Sequence, residues 1–370
     1  MREPQTLKFE GTSEKATLEI RPQATLAPSI PHIVIVSATW TRESYTATET
    51  ELLLKSILIH ARCSLHFTLV VDETSEPALR ELFGRVARAK YDTTFSFVQL
   101  PFELIERRSK EWNAPVEHHS GTAGYAKFLL PEFLWWIDHI MLFDTDMLAG
   151  SDVCLLWNEM FDKSDKEETN DLAVDSKRDI TTLFAWTPMG TEGFCSCVGL
   201  LHLERMRRAG WGSIRDEGTE SNYLDSTYYG INLTEIFRKH EGGMEHGDQT
   251  MYILVWKAFR DRYPRMMLEL SHSWNLDHCQ GYYNINPRRT NFDAKSREPP
   301  YVVQPYKEQF FGIVHFNCFF GGNGYTAQSL GNWGIVYQWV EHYKWEWIAE
   351  GAEGAQEEHG GQLAEVKFTR

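Results

Sequence analysis

The strongest constraint on this chain is a train of short apolar runs, each too brief to span a helix and each separated from the next by a stretch of helical spacing. His32-Ile33-Val34-Ile35-Val36 is β-branched and uninterrupted, the pattern of a strand buried on both faces. Residues 45–61 follow with apolar positions at helical spacing. Phe67–Val71 reads as a second strand, 75–90 as a second helix and Phe95–Leu100 as a third strand. A mostly helical stretch covers 123–137, bent or divided by Pro131, and His139–Phe143 is a fourth strand. Strand and helix in alternation imply an α/β domain built on a largely parallel sheet. Farther along, 251–260 reads as a helix, Phe311–Phe316 as a short strand and 333–347 as a closing helix whose aromatic face packs into the core. The stretch 271–311 reads as irregular, and the charge-rich segment 162–182 as a solvated loop.

Composition narrows the function classes. Apolar residues make up 42 % of the 370 and aromatics 13 %, a globular balance. Residues 1–30 read as a polar leader, 31–350 as the folded domain and 351–370 as a flexible acidic tail. A net charge of −15 argues against a nucleic-acid binder, which needs clustered Lys and Arg, but not against a single nucleotide held through a metal. No stretch approaches the roughly 20 apolar residues of a spanning helix, and the first 30 residues lack the apolar core of a signal peptide. No pair among the six cysteines has C-x-x-C spacing. Cys195 and Cys197 are close, yet a bond between alternate residues of an extended strand would be strained, so buried free thiols are expected.

The sharpest local motif is Ile140-Met141-Leu142-Phe143-Asp144-Thr145-Asp146, an apolar strand running into two carboxylates one residue apart. If the backbone stays extended, Asp144 and Asp146 project to one side, beyond the carboxyl end of a strand where open α/β sheets bind ligands. Two hard oxygen ligands there suit Mg2+ or Mn2+ with a substrate diphosphate, although a turn after a strand also favours Asp. Three further clusters carry chemistry-bearing groups. In His246-Gly247-Asp248-Gln249, ahead of a helix expected from Thr250, Gly247 permits close backbone approach and Asp248 is either a ligand or a helix cap. Gly312–Asn317 places His315 near the end of a strand, and Ser273–Cys279 contains Trp274, Asn275, Asp277 and His278. Each has an ordinary structural use when taken alone.

Taken in order, these segments resemble the retaining glycosyltransferases of family 8, and most closely the eukaryotic glucoside xylosyltransferases. They are also similar to the xylosyltransferase half of the matriglycan-synthesising enzyme. The resemblance covers roughly residues 31–348. It rests on IVIVSATW (33–40) with ELLLKSILIH (51–60), GYAKFLLP (124–131), LFDTDM (142–147), GFCSCVGLLHLERMRR (193–208), HGDQ (246–249), WNLDHC (274–279) and VHFN (314–317). It implies a GT-A fold, with a Rossmann-like, mostly parallel central sheet flanked by helices and an irregular acceptor-facing C-terminal part. It also implies a UDP-sugar donor, Mn2+ or Mg2+, and a glycan or glycoprotein acceptor; no oligomeric state can be read. By position, Asp144, Asp146 and His315 would hold the metal, with Thr145 between the two acids. Ala38 and Thr39 would lie along uracil and ribose, Lys127 would steady the donor, and Asn275 would lie close to it. Asp248 would hold the sugar hydroxyls, with Gln249 beside the anomeric carbon. The resemblance points to the secretory lumen, while the missing signal peptide and anchor leave a soluble cytoplasmic chain open.

Three departures from the family pattern stand out. Cys195 occupies the place of an Asn near the donor sugar and Cys197 that of a Gly, and a thiol is a weak hydrogen-bonding group beside an amide. Lys127 replaces an Arg and loses its planar fork. A Lys that usually follows the His segment is missing, and the Gly-rich run from Gly321 to Gly324 either cradles phosphate through backbone N–H groups or is a plain loop. The leading expectation is a metal-assisted retaining transferase, with xylose the first sugar and glucose or galactose next. The alternatives are a catalytically weak relative that binds nucleotide or carbohydrate, and a metal-dependent phosphohydrolase built on Asp144 and Asp146.

Overall fold

The computed structural model describes residues 30–37, 45–84, 86, 91–112, 121–158, 183–189, 193–211, 233–240, 247–261, 263–264, 266–271, 274–277, 312–316, 339–345 and 348. The expected leader before Ile30, the charged loop at 162–182, most of 271–311 and the tail lie outside them. So do the candidate site residues Ala38, Thr39 and Gly321.

The opening elements are β1 (His32–Ser37), α1 (Tyr45–His60), β2 (Leu65–Val71), α2 (Ser75–Phe83) and β3 (Thr93–Gln99). They occur in the expected order. The second helix ends earlier than its pattern, at Phe83, where Gly84 donates its N–H to Arg80 O. Its start is fixed by Asp72, whose Oδ1 accepts from the N–H groups of Thr74 and Ser75 and from both hydroxyls. Next come α3 (Phe102–Trp112), a helix absent from the sequence reading, then α4 (Gly121–Phe133), β4 (His139–Phe143) and β5 (Met147–Ala149). The chain continues through β6 (Phe184–Met189), β7 (Gly193–His202), α5 (Leu203–Arg208), α6 (Leu233–Lys239) and α7 (Asp248–Phe259). Three short strands complete it: β8 (Met267–Glu269), β9 (Leu276–Asp277) and β10 (Ile313–His315). Of the closing aromatic helix, 339–342 and 345 are helical among the described residues, as is 348 just beyond it.

Seven strands form the main sheet in the order β3-β2-β1-β4-β7-β6-β8, and only β7 runs against the rest. The largely parallel expectation holds. From β1 the chain moves outward through β2 and β3, then returns to place β4 on the opposite side of β1. That reversal creates a crevice at the carboxyl ends of β1 and β4, which run side by side with Ile35 opposite Phe143. The strands are apolar on both faces because both are covered. Ile33, Ile35, Met141 and Phe143 meet Leu53, Leu54, Ile57 and Leu79 of α1 and α2 on one side. Val34, Ile140 and Leu142 meet Leu129, Met206, Phe237 and Val255 of the other helices on the opposite side. Gly199 in β7 is required by packing, since a Cβ there would overlap the Trp186 indole.

A second sheet of three strands, β5-β10-β9, sits at the crevice. Strand β10 runs antiparallel to β5, with His315 opposite Met147, and parallel to β9, with His315 opposite Asp277. Phe316 donates its N–H to Asp146 O at 2.9 Å. Among the described residues no helix is long and apolar enough to cross a membrane.

Candidate functional site

The two acids converge, although not by the route expected from an extended strand. Strand β4 stops at Phe143, and Asp144-Thr145-Asp146 is the bend by which the chain leaves the main sheet to begin β5 in the small one. The pairing of β5 with β10 then carries His315 alongside the bend. The result is a compact set: one ligand atom each from Asp144, Asp146 and His315, all within 4.8 Å of one another. His315 Nε2 lies 3.4 Å from Asp146 Oδ1, and its ring is almost fully buried. Thr145 points elsewhere, donating its hydroxyl to Glu49 Oε2 of α1 at 2.9 Å, which pins the bend against the first helix.

Lys127 closes the other side. Its Nζ lies 2.5 Å from Asp144 Oδ1, a close ion pair without hydrogen-bond angles, and 3.7 Å from Asp248 Oδ2. Burial alone would lower the ammonium's pKa, but the carboxylates of Asp144 and Asp248 raise it well above the ordinary lysine value. Burial pushes Asp144 up to about 6; Lys127 opposes this, and the negative charges of Asp146 and Asp248 add to it. For Asp146, burial acts upward but the neighbouring His315 wins and holds the carboxyl below its usual range. Three carboxylates thus face one ammonium, so a divalent cation among Asp144, Asp146 and His315 would relieve repulsion. A set of two carboxylate oxygens and an imidazole is a donor set for a divalent cation.

Position 127 is held by a backbone feature that the sequence marks only as a helix defect. Pro131 lies inside α4 and has no N–H to give to Lys127 O four residues back. The buried hydroxyl of Tyr252, on α7, donates to that carbonyl at 3.0 Å instead. The same helix begins at Asp248, two residues earlier than expected, and its N-cap is Gly247 at φ 55°, a conformation that favours glycine. Asp248 is therefore not the cap. Its carboxylate is buried and accepts from Ser196 Oγ at 2.7 Å. Gln249 is half-buried in the same first turn.

The thiol expectation is overturned. Cys195 and Cys197 form a disulfide with Cα atoms 5.4 Å apart, and Cys63 forms another with Cys154. The reason is a bulge. Trp186 of β6 pairs with Gly199 and Pro188 with Phe194, so two steps along β6 answer five along β7, and the cysteines lie in the surplus. Ser196, on the opposite face, reaches Asp248, while Cys195 Sγ comes within 3.8 Å of His315 Nδ1. Asn275 immediately precedes β9 and its buried Oδ1 has no hydrogen-bond partner among the described residues.

Sequence reasoning assigned no role to Glu49, Ser196 or Tyr252. Only Ser196 left a trace, as the single hydroxyl between the two cysteines. The other two act through contacts that no local pattern announces.

No protein-family model matches the chain. It is 31 % identical over 166 residues to the zebrafish (Danio rerio) xylosyl- and glucuronyltransferase LARGE2s, covering 43 % of this chain and 21 % of that protein. It is 30 % identical over 200 residues to mouse (Mus musculus) LARGE2, covering 51 % of this chain and 27 % of that one. The chain thus spans about a quarter of the length of these relatives. Among solved structures, mouse xyloside xylosyltransferase 1 in its apo form superposes with a TM-score of 0.53 at 16 % identity, covering 79 % of this chain and 99 % of that one. The glycosyltransferase GlyE of Streptococcus pneumoniae gives 0.50 at 12 % identity, covering 89 % and 64 %. The fold is the GT-A glycosyltransferase fold, and the resemblance to family 8 is borne out by these relatives.

Proposed function

We propose that this chain, whose fold and sequence relatives are those of xylosyltransferase-type enzymes, transfers a sugar with retention from a UDP-sugar to a glycan or glycoprotein acceptor. Xylose is the first candidate. The observation that carries the reading is the meeting of Asp144, Asp146 and His315 within 4.8 Å, at the strand-order reversal where such folds receive nucleotides. These three residues would hold Mn2+ or Mg2+, which when bound supplies Lewis-acid stabilisation to a departing diphosphate.

The protein's own groups have definable tasks. The Lys127 ammonium, already inside the site, is a fixed positive charge for the anion that develops as the sugar–phosphate bond breaks. Asp248, oriented by Ser196, offers oxygens to the sugar hydroxyls and to the positive charge that grows at the anomeric carbon. Gln249 is neutral and a poor nucleophile, which favours attack from the face that UDP leaves; a glycosyl adduct trapped on any side chain would refute that route. Ala38, Thr39 and Asn275 are assigned to the donor by resemblance, and Gly321 as part of a Gly-rich run that would cradle phosphate in place of the missing Lys. The Cys63–Cys154 disulfide supports an oxidising compartment such as the secretory lumen.

The deciding experiment incubates the chain with a panel of UDP-sugars, with and without Mn2+, and follows UDP release and transfer to glycoside acceptors. Metal-dependent release from one donor is expected. No binding of any UDP-sugar under any metal condition would reject the reading.

A further inference from the structure

The two ring nitrogens of His315 face different chemistry. Nε2 is turned to Asp146 at 3.4 Å, on the side of the hard oxygen ligands, and Nδ1 is turned to Cys195 Sγ at 3.8 Å. One ligand atom each from Cys195, Cys197 and His315 lie within 4.8 Å of one another, and all three residues are buried. Sulfur and nitrogen bound to one tetrahedral zinc are about 3.6 Å apart, from Zn–S near 2.3 Å and Zn–N near 2.0–2.1 Å. The Cys195–His315 spacing is already close to that edge.

The geometry points to a second metal site, for a soft divalent cation such as Zn2+, formed by Cys195, Cys197 and His315 and capped by the Cys195–Cys197 disulfide. Thiolates select softer ions than the carboxylates next door, so the two sites prefer different metals. In the disulfide neither sulfur carries the charge that makes it a ligand, and the site is closed. Reduction by a phosphine opens it: the sulfur–sulfur bond takes two electrons from phosphorus, water supplies the oxygen of the phosphine oxide, and two thiols result. Zinc then displaces the two thiol protons to solvent and takes His315 Nδ1 as its third protein ligand, leaving one position open.

The sites exclude one another because a neutral imidazole has a single lone pair. Zinc on Nδ1 fixes the proton on Nε2, where it faces Asp146 and removes the nitrogen ligand from the hard-cation site. This antagonism rests on the reading of Asp144, Asp146 and His315 given above; the thiol site does not. Oxidation state would thus select which metal His315 serves.

The test uses the full chain, oxidised or reduced with a phosphine, with thiols counted by mass after alkylation of the unfolded protein. Each form is titrated with Co2+, then Zn2+. The expected result is a thiolate-to-cobalt charge-transfer band with tetrahedral d–d bands in the reduced form only, bleached by one equivalent of Zn2+. Cys195→Ser and Cys197→Ser should each weaken Zn2+ binding by on the order of tenfold or more. Three results would overturn the site: no charge-transfer band when both thiols are counted, a band that survives in the Cys195→Ser/Cys197→Ser double variant, or a bond that resists the reductant in the native chain. Mn2+ paramagnetic resonance then tests the antagonism. Zn2+ should release bound Mn2+ from the reduced chain at lower concentration than from the oxidised one, where it competes only for the Asp144–Asp146–His315 site itself, and equal release curves refute the antagonism. A cobalt–thiolate band in a chain that binds no Mn2+ in either form supports the soft site and removes the hard-cation reading alone.

Discussion

Replacing Tyr252 with Phe tests how the site lysine is held. The ring stays, packed among Phe128, Trp186 and Trp211 at centroid distances of 4.9, 5.2 and 5.6 Å, and only the hydroxyl is lost. That hydroxyl is the donor to Lys127 O, which Pro131 cannot serve. An orphaned buried acceptor costs about 1–3 kcal/mol. At roughly 2–4 °C per kcal/mol for a domain of this size, the midpoint should fall by roughly 2–12 °C. Pro131→Ala restores an N–H at the position four residues after Lys127, so in that background Tyr252→Phe should cost less, with a coupling on the order of 1–2 kcal/mol. Four proteins unfolded in urea, with far-ultraviolet circular dichroism as the probe, complete the cycle. Costs that simply add would refute the account, because the hydroxyl and the missing N–H would then be unrelated.

Three further outcomes are expected. Gly199→Ala should destabilise by about 1–3 kcal/mol in denaturant titration, and Trp186→Leu should relieve it; an unchanged midpoint for the single variant would contradict the packing. Acid should weaken the fold between about pH 6.5 and 4. Burial, helped by neighbouring positive groups, holds His32 near about 3 and His60 and His139 near about 4, and lowers His66 and His202 as well. The unfolded chain therefore takes up protons first, and stability present above about pH 6.5 is lost as pH falls, by about 1.4 kcal/mol per pH unit for each of His32, His60 and His139 until its folded value is reached. Asp144 and Glu132, both raised by burial, act in the opposite sense, but as two groups against five. A urea midpoint equal at about pH 7.5 and about pH 5 would refute this. Finally, Asp146→Asn should reduce Mn2+-dependent UDP release by on the order of a hundredfold while leaving the melting temperature of the metal-free chain within a few degrees, and chelation should have the same effect on the unaltered protein.

What the sequence determined is what repeats locally. Short apolar runs, β-branched in β1, specified β1, β2 and β4, and an acidic pair directly after His139–Phe143 marked a strand end where a ligand can sit. Motif order added His315, Lys127 and Asp248, though not the distances between them. The helix α3 escaped notice because its pattern is polar apart from a few buried positions. Tertiary structure decided the rest, and in each case through partners distant in the chain. His315 reaches Asp146 because β10 pairs with β5, and Cys195 meets Cys197 and His315 because β7 carries surplus residues against β6. Lys127 is anchored because Tyr252 answers a carbonyl that Pro131 leaves open. Periodicity records which face of an element is buried; only the folded chain decides what it is buried against, since register, bulges and long-range hydrogen bonds are set by the energy of the whole packing.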